Sequence, residues 1–100
     1  MNQLYKKFPI PFTNLSLIRW KVNAIAPIHN HKNQNCSLLV LRGSLEEKVY
    51  KNTGLQGHYL INTKVLNTHH SSFINDEIGE HTVENISEGE SWSLHYCKKI

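Results

Sequence analysis

Apolar and polar positions alternate with a period of two along most of this chain. Residues 15–22, Leu-Ser-Leu-Ile-Arg-Trp-Lys-Val, form a β-branched and aromatic run bounded by Asn14 and Asn23 and partly apolar on both faces, as expected for the wall of a barrel or sandwich. Cys36 to Leu41 is a second such run, stopped by Arg42-Gly43-Ser44. Leu45 to Tyr50 follows after a gap short enough for a hairpin. Asn52-Thr53-Gly54 marks the next turn, and Tyr59 to Val65, Ser72 to Ile74, Thr82 to Ile86 and Trp92 to Tyr96 continue the series between Asn, Asp, Gly and Ser clusters. No window long enough for a helix carries a 3.6-residue period. The pattern predicts an all-β fold, a small barrel or sandwich with little or no helix.

Length and charge narrow the picture. The 100 residues make a single domain spanning 1–100. Lys plus Arg outnumber Asp plus Glu by 11 to 8, but the basic residues are scattered or sit as Lys6/Lys7 and Lys98/Lys99 near opposite chain ends, so no basic stripe tracks a phosphate backbone and nucleic acid is not an expected partner. The longest apolar stretch, Leu38 to Leu41, is far short of the ~20 residues of a membrane helix. The first residues show no apolar core of a secretory signal, and two cysteines are too few for a disulfide framework, so a cytoplasmic protein is expected. A barrel of ~100 residues buries only on the order of 65% of its unfolded surface, and a homodimer that covers exposed sheet would relieve that.

Seven histidines in so short a chain change the picture most. Imidazole is the commonest transition-metal ligand. His29 and His31 form a His-x-His pair in a segment too polar and turn-rich to be core, and residues two apart on an extended chain project from one face. His81, directly after the turn at Gly79, is the best candidate for a third ligand. A pair of solvent-facing histidines is the competing reading, as it is for His58, His69 and His70. Trp20 and Trp92 read as core or rim packing.

The neighbours of these histidines resemble the two cupin motifs: a His-x-His pair followed by Cys36 at the usual acidic position and by Gly43, then His81 with Asn85 as His-x-x-x-Asn. Pro27-Ile-His-Asn-His31, Cys36-Ser-Leu-Leu-Val-Leu-Arg-Gly43-Ser-Leu-Glu-Glu47, Ile74-Asn-Asp-Glu-Ile-Gly-Glu-His81-Thr-Val-Glu-Asn-Ile-Ser87 and Ser93-Leu-His95 together resemble the cysteine dioxygenase family of thiol dioxygenases. The resemblance is ordered and runs from about Tyr5 to Cys97.

It implies a small cupin jelly roll holding Fe(II) through His29, His31 and His81, with Zn(II) or Ni(II) equally natural for three imidazoles. It also implies a small thiol of the cysteine or 3-mercaptopropionate type, and dioxygen, as substrates, with a sulfinic acid as product. Ser93 and His95 would face the metal as outer-sphere catalytic groups. The family's Tyr-x-Arg near the start of the domain corresponds to Tyr5-Lys6-Lys7, so Tyr5 and Lys7 become the substrate-binding candidates, Lys7 as a point charge without the arginine fork. The family's tyrosine two positions after the histidine, whose ring is thioether-linked to the cysteine equivalent to Cys36, is here Cys97, and Tyr96 sits one step early. Tyr96, a candidate by residue type, is therefore expected to point away, with no Cys36–Tyr96 cross-link. Cys97 falls in phase opposite Cys36, where a disulfide or two free thiols are open alternatives. Relative to family enzymes roughly twice this length, padding helices and a returning tail are expected to be missing. A non-catalytic metal-binding or ligand-sensing cupin, and another cupin reaction on Zn(II) or Ni(II), stand as alternatives to dioxygenation.

Overall fold

In a computed structural model, residues 4–29, 33–75 and 77–99 are described, and among them the period-two pattern resolves into nine strands. In chain order they are β1 (Tyr5–Pro9), β2 (Leu15–Trp20), β3 (Ile25–His29), β4 (Gln34–Arg42), β5 (Leu45–Asn52), β6 (His58–Leu66), β7 (Ser71–Ile74), β8 (Glu80–Asn85) and β9 (Ser91–Lys99). A single 3-10 turn, Gly54–Gln56, interrupts them. They form two antiparallel sheets, β1-β2-β9-β4-β7 and β3-β8-β5-β6, the all-β architecture expected from the sequence.

Alternation decides which side chains face inward. Ser16, Ile18 and Trp20 of β2 are buried, as are Cys36, Leu38 and Val40 of β4, Leu45, Glu47 and Val49 of β5, and His81, Val83 and Asn85 of β8. A main apolar cluster forms around Trp20, Leu38, Val40, Leu45, Leu66 and Val83, and a smaller one joins Cys36, Val49 and Ile74, with Cys97 against it. Between them the inward positions are polar.

Two features depart from the sequence pattern. The gap at Arg42-Gly43-Ser44 is not a hairpin, because β4 pairs with β7 and β9 whereas β5 pairs with β6 and β8; the chain there crosses from one sheet to the other. Gly43 makes the crossing with φ of +87°, and a Cβ on it would collide with Ser91 Oγ. Strands β1 and β3 escape a pattern reading because each is a sheet edge carrying a proline, Pro9 and Pro27, where a missing N–H donor is tolerated.

Asn85, the last residue of the second histidine motif, has a structural task. Its amide nitrogen donates to the carbonyls of Trp20, Lys21 and Gly89 at 3.2, 3.0 and 2.9 Å, and its oxygen accepts from the Ser87 N–H and hydroxyl and from Ser91 Oγ. This buried node ties the β2–β3 and β8–β9 turns together.

Candidate metal centre and substrate cavity

A cavity of about 290 Å³ lies between the sheets, and its wall includes Tyr5, Lys7, Cys36, Glu47, His81, His95 and Cys97, completed by apolar side chains such as Ile18, Trp20, Ile74 and Val83. Strands β1, β2, β3, β4, β5, β7, β8 and β9 each contribute, so residues scattered over ninety positions converge only through the two-sheet topology.

His81 sits on the inward face of β8, 4% exposed. Its Nδ1 lies 2.7 Å from Oε2 of Glu47, a β5 carboxylate 1% exposed. Strand register explains the contact: Val49 is directly opposite His81 and Glu47 opposite Val83, which makes Glu47 and His81 diagonal neighbours on one face. Glu47 Oε1 accepts the Ser72 hydroxyl at 2.6 Å, and Lys64 Nζ stands 3.5 Å from the same oxygen while donating to Ser72 Oγ at 3.0 Å. Burial by itself raises the Glu47 pKa. The hydrogen bonds to His81 and Ser72 and the charges of His81 and Lys64 outweigh it and hold the carboxyl below the ordinary range.

With Nδ1 against a carboxylate, any metal ligation by His81 would fall to Nε2, the arrangement in which an outer carboxylate orients a metal-binding imidazole. His29 occupies the register position directly opposite His81 in the β3–β8 pair, next to an irregularity between Ala26 and His29. His31 lies outside the described residues. The tautomer set by Glu47 and the His29/His81 register fit a mononuclear imidazole site.

Across the cavity, His95 and Ser93 share the inward phase of β9. Ser93 is fully buried behind His95, its Oγ 2.6 Å from His95 Nε2, and it accepts the Trp20 indole N–H at 2.8 Å. Tyr5 packs on Trp20 with ring centroids 5.2 Å apart, and Lys7, on the same face of β1, reaches the cavity from an exposed position. Tyr96, out of phase with His95, is 41% exposed and absent from the cavity wall, so of the candidate catalytic residues it is the one the structure does not bring to the site.

Cys97 takes the inward position instead. It pairs directly with Cys36 across β4 and β9, and the two are joined in a disulfide with a Cα–Cα distance of 4.1 Å. His58 is exposed and bonded to Glu80 at 2.8 Å, and His69 and His70 lie on the exposed β6–β7 turn, all three away from the cavity.

Sequence reasoning passed over Glu47, which sits in the polar-looking run Glu46-Glu47-Lys48. The signal was its phase: Glu47 lies between Leu45 and Val49 on the inward side, where a carboxylate needs a partner. Ser72, in phase with Ile74, is the matching signal on β7.

A two-sheet antiparallel barrel with an inward histidine and a cavity between its sheets defines this protein as a small cupin. Solved structures agree on the fold: the cupin domain of Schizosaccharomyces pombe Cnp3 matches with a TM-score of 0.74 at 15% identity, over 99% of this chain and 67% of that one. An oxalate oxidase in complex with glycolate matches with 0.70 at 15% identity, over 85% of this chain and 41% of that one. Residues 12–98 match the family model of cysteine dioxygenase type I, and the chain belongs to that family. It is 35% identical over 85 residues to human cysteine dioxygenase type 1, covering 82% of this chain and 42% of that protein. The Danio rerio cysteine dioxygenase type 1 is 35% identical over 86 residues, covering 82% and 43%. The chain thus spans about two fifths of the length of the curated relatives it matches. Among the described residues, no helix is long and apolar enough to cross a membrane.

Proposed function

We propose that this chain is an iron-dependent thiol dioxygenase acting on a small thiol carboxylic or amino acid. The observation that carries the reading is one cavity walled by His81, with its Nδ1 held by buried Glu47, by His95, with Ser93 buried behind it, and by the Lys7 cation. His29, His31 and His81 would hold the metal. When bound, ferrous iron supplies thiolate coordination and dioxygen activation, with both oxygen atoms ending on sulfur as a sulfinic acid.

The chain's own residues do the rest. Lys7 attracts the substrate carboxylate as a point charge, and Tyr5, braced on Trp20, limits where the substrate backbone lies. Ser93 Oγ accepts the Trp20 indole N–H and shares a hydrogen bond with His95 Nε2, which holds the imidazole in a fixed orientation beside the cavity. The apolar wall of Ile18, Ile74 and Val83 limits water beside the reacting sulfur.

Metal analysis of protein purified without added metal, joined to oxygen uptake on a panel of thiols, tests the proposal. Iron near one equivalent and oxygen consumption matched by sulfinate are expected; bound metal without oxygen uptake on any thiol would favour a thiol-sensing cupin, the reading encouraged by Cys97 standing where the family has its tyrosine. Within the panel, cysteine and 3-mercaptopropionate should be preferred over cysteamine. Lys7→Ala should raise KM for the acids by about tenfold with little change for cysteamine, the loss of one charge-assisted contact. An unchanged KM would return Lys7 to the solvated surface.

A further inference from the structure

The cavity holds a reactive group that dioxygen chemistry does not call for. Cys36 and Cys97 both line it, directly opposite one another on β4 and β9 and joined as a disulfide. The two strands do not depend on this bond for their alignment, because their ladder continues on both sides of it, through Asn35/Lys98 and Gln34/Lys99 in one direction and through Ser37/Tyr96 to Val40/Ser93 in the other. The bond also faces the space shared with Lys7, His81 and His95. Its two sulfurs differ in access: Cys36 is 5% exposed and packed against Val49 and Ile74, whereas Cys97 is only half-buried.

We propose that Cys36–Cys97 is a thiol-exchange centre that reacts with the same class of ligand the cavity admits, a small thiol carrying a carboxylate. The thiolate of the incoming molecule attacks Cys97 Sγ, forming a mixed disulfide on Cys97 and breaking the Cys36–Cys97 bond; Cys36 leaves as a thiolate and takes the proton that the incoming thiol gave up. A second small thiol then attacks the sulfur of the bound ligand, releasing a symmetrical small-molecule disulfide and leaving Cys97 as a thiol. In sum, two thiols are oxidised to one disulfide and one protein disulfide is reduced to two thiols, once per chain. Burial makes Cys36 the poorer target, and Lys7 draws carboxylate-bearing thiols to the mouth.

The step needs neither metal nor oxygen, so its test stands apart from the dioxygenase reading. Metal-free full-length chain in its disulfide form is mixed under anaerobic conditions with cysteine, 3-mercaptopropionate, cysteamine or glutathione, then quenched with acid and analysed by intact mass and peptide mapping. At early times one cysteine or one 3-mercaptopropionate should be attached at Cys97, followed by the dithiol chain. At equal thiolate concentration both should react at least about tenfold faster than glutathione, a much bulkier thiol. First attachment at Cys36, equal rates for cysteine and glutathione, or a bond opened by a phosphine reductant but by none of the thiols would each overturn the proposal.

Discussion

Replacing His81 by alanine is expected to abolish stoichiometric metal binding while leaving a folded barrel. The residue is buried and faces the cavity, with its Nδ1 engaged by Glu47, so metal coordination falls to Nε2 and no neighbouring side chain on β8 shares its phase except Val83 and Asn85. His29→Ala and His31→Ala should have the same effect. Exposed His58, His69 and His70 serve as controls whose replacement leaves the metal content unchanged. Metal per chain after gel filtration is the measurement, with circular dichroism reporting the fold. Full occupancy in His81→Ala would sink the three-histidine assignment.

Glu47→Ala should be the most damaging change to stability. It removes the only carboxylate of a buried network and strands His81 Nδ1, the Ser72 hydroxyl and one contact of Lys64. Each buried polar group left without its hydrogen-bond partner costs about 1–3 kcal/mol, and two are left here. Lys64 is 40% exposed, and water rescues its part of the loss. For a domain of this size the change corresponds to a melting temperature lower by about 12 °C or more.

Glu47→Gln, which keeps an acceptor oxygen, should lose less stability and still weaken metal binding by about 10–100-fold, because a neutral amide orients the imidazole without raising its basicity. The pH dependence follows the sign of the carboxyl shift. Glu47 is held below its unfolded value, so its contribution is complete above about pH 4.3 and is lost as pH falls through that value toward the lower folded one. Urea midpoints followed from about pH 6 down to about pH 3 should therefore fall more steeply in the wild type than in Glu47→Gln. Parallel curves would mean that the carboxylate contributes nothing through its charge.

The strands were legible where alternation was clean. Residues 36–41 carry apolar side chains at every second position, 15–20 and 45–50 do so apart from Ser16 and Glu47 on the inward phase, and the structure buries one face of each. Legibility failed at β1 and β3, which are short, edge-bound and proline-bearing, and at the β4–β5 connection, where two residues suit a hairpin and a change of sheet equally well. The phase argument at the end of β9 needed no more than the period of two: it put Cys97 inward and Tyr96 outward, and the cavity wall holds Cys97 without Tyr96.

By itself, then, the sequence determined an all-β chain, the phase of each well-patterned strand, and through ordered motifs the family to which the chain belongs. These are local properties, set by backbone pleat and by residues close in sequence. Tertiary structure alone decided that Glu47 holds His81, that Ser93 hangs between Trp20 and His95, and that the sulfurs of Cys36 and Cys97 meet across β4 and β9. The Glu47–His81, Cys36–Cys97 and Trp20–Ser93 contacts join residues 34, 61 and 73 positions apart, and which pairs meet is set by strand order and register within each sheet, about which alternation within a single strand carries no information.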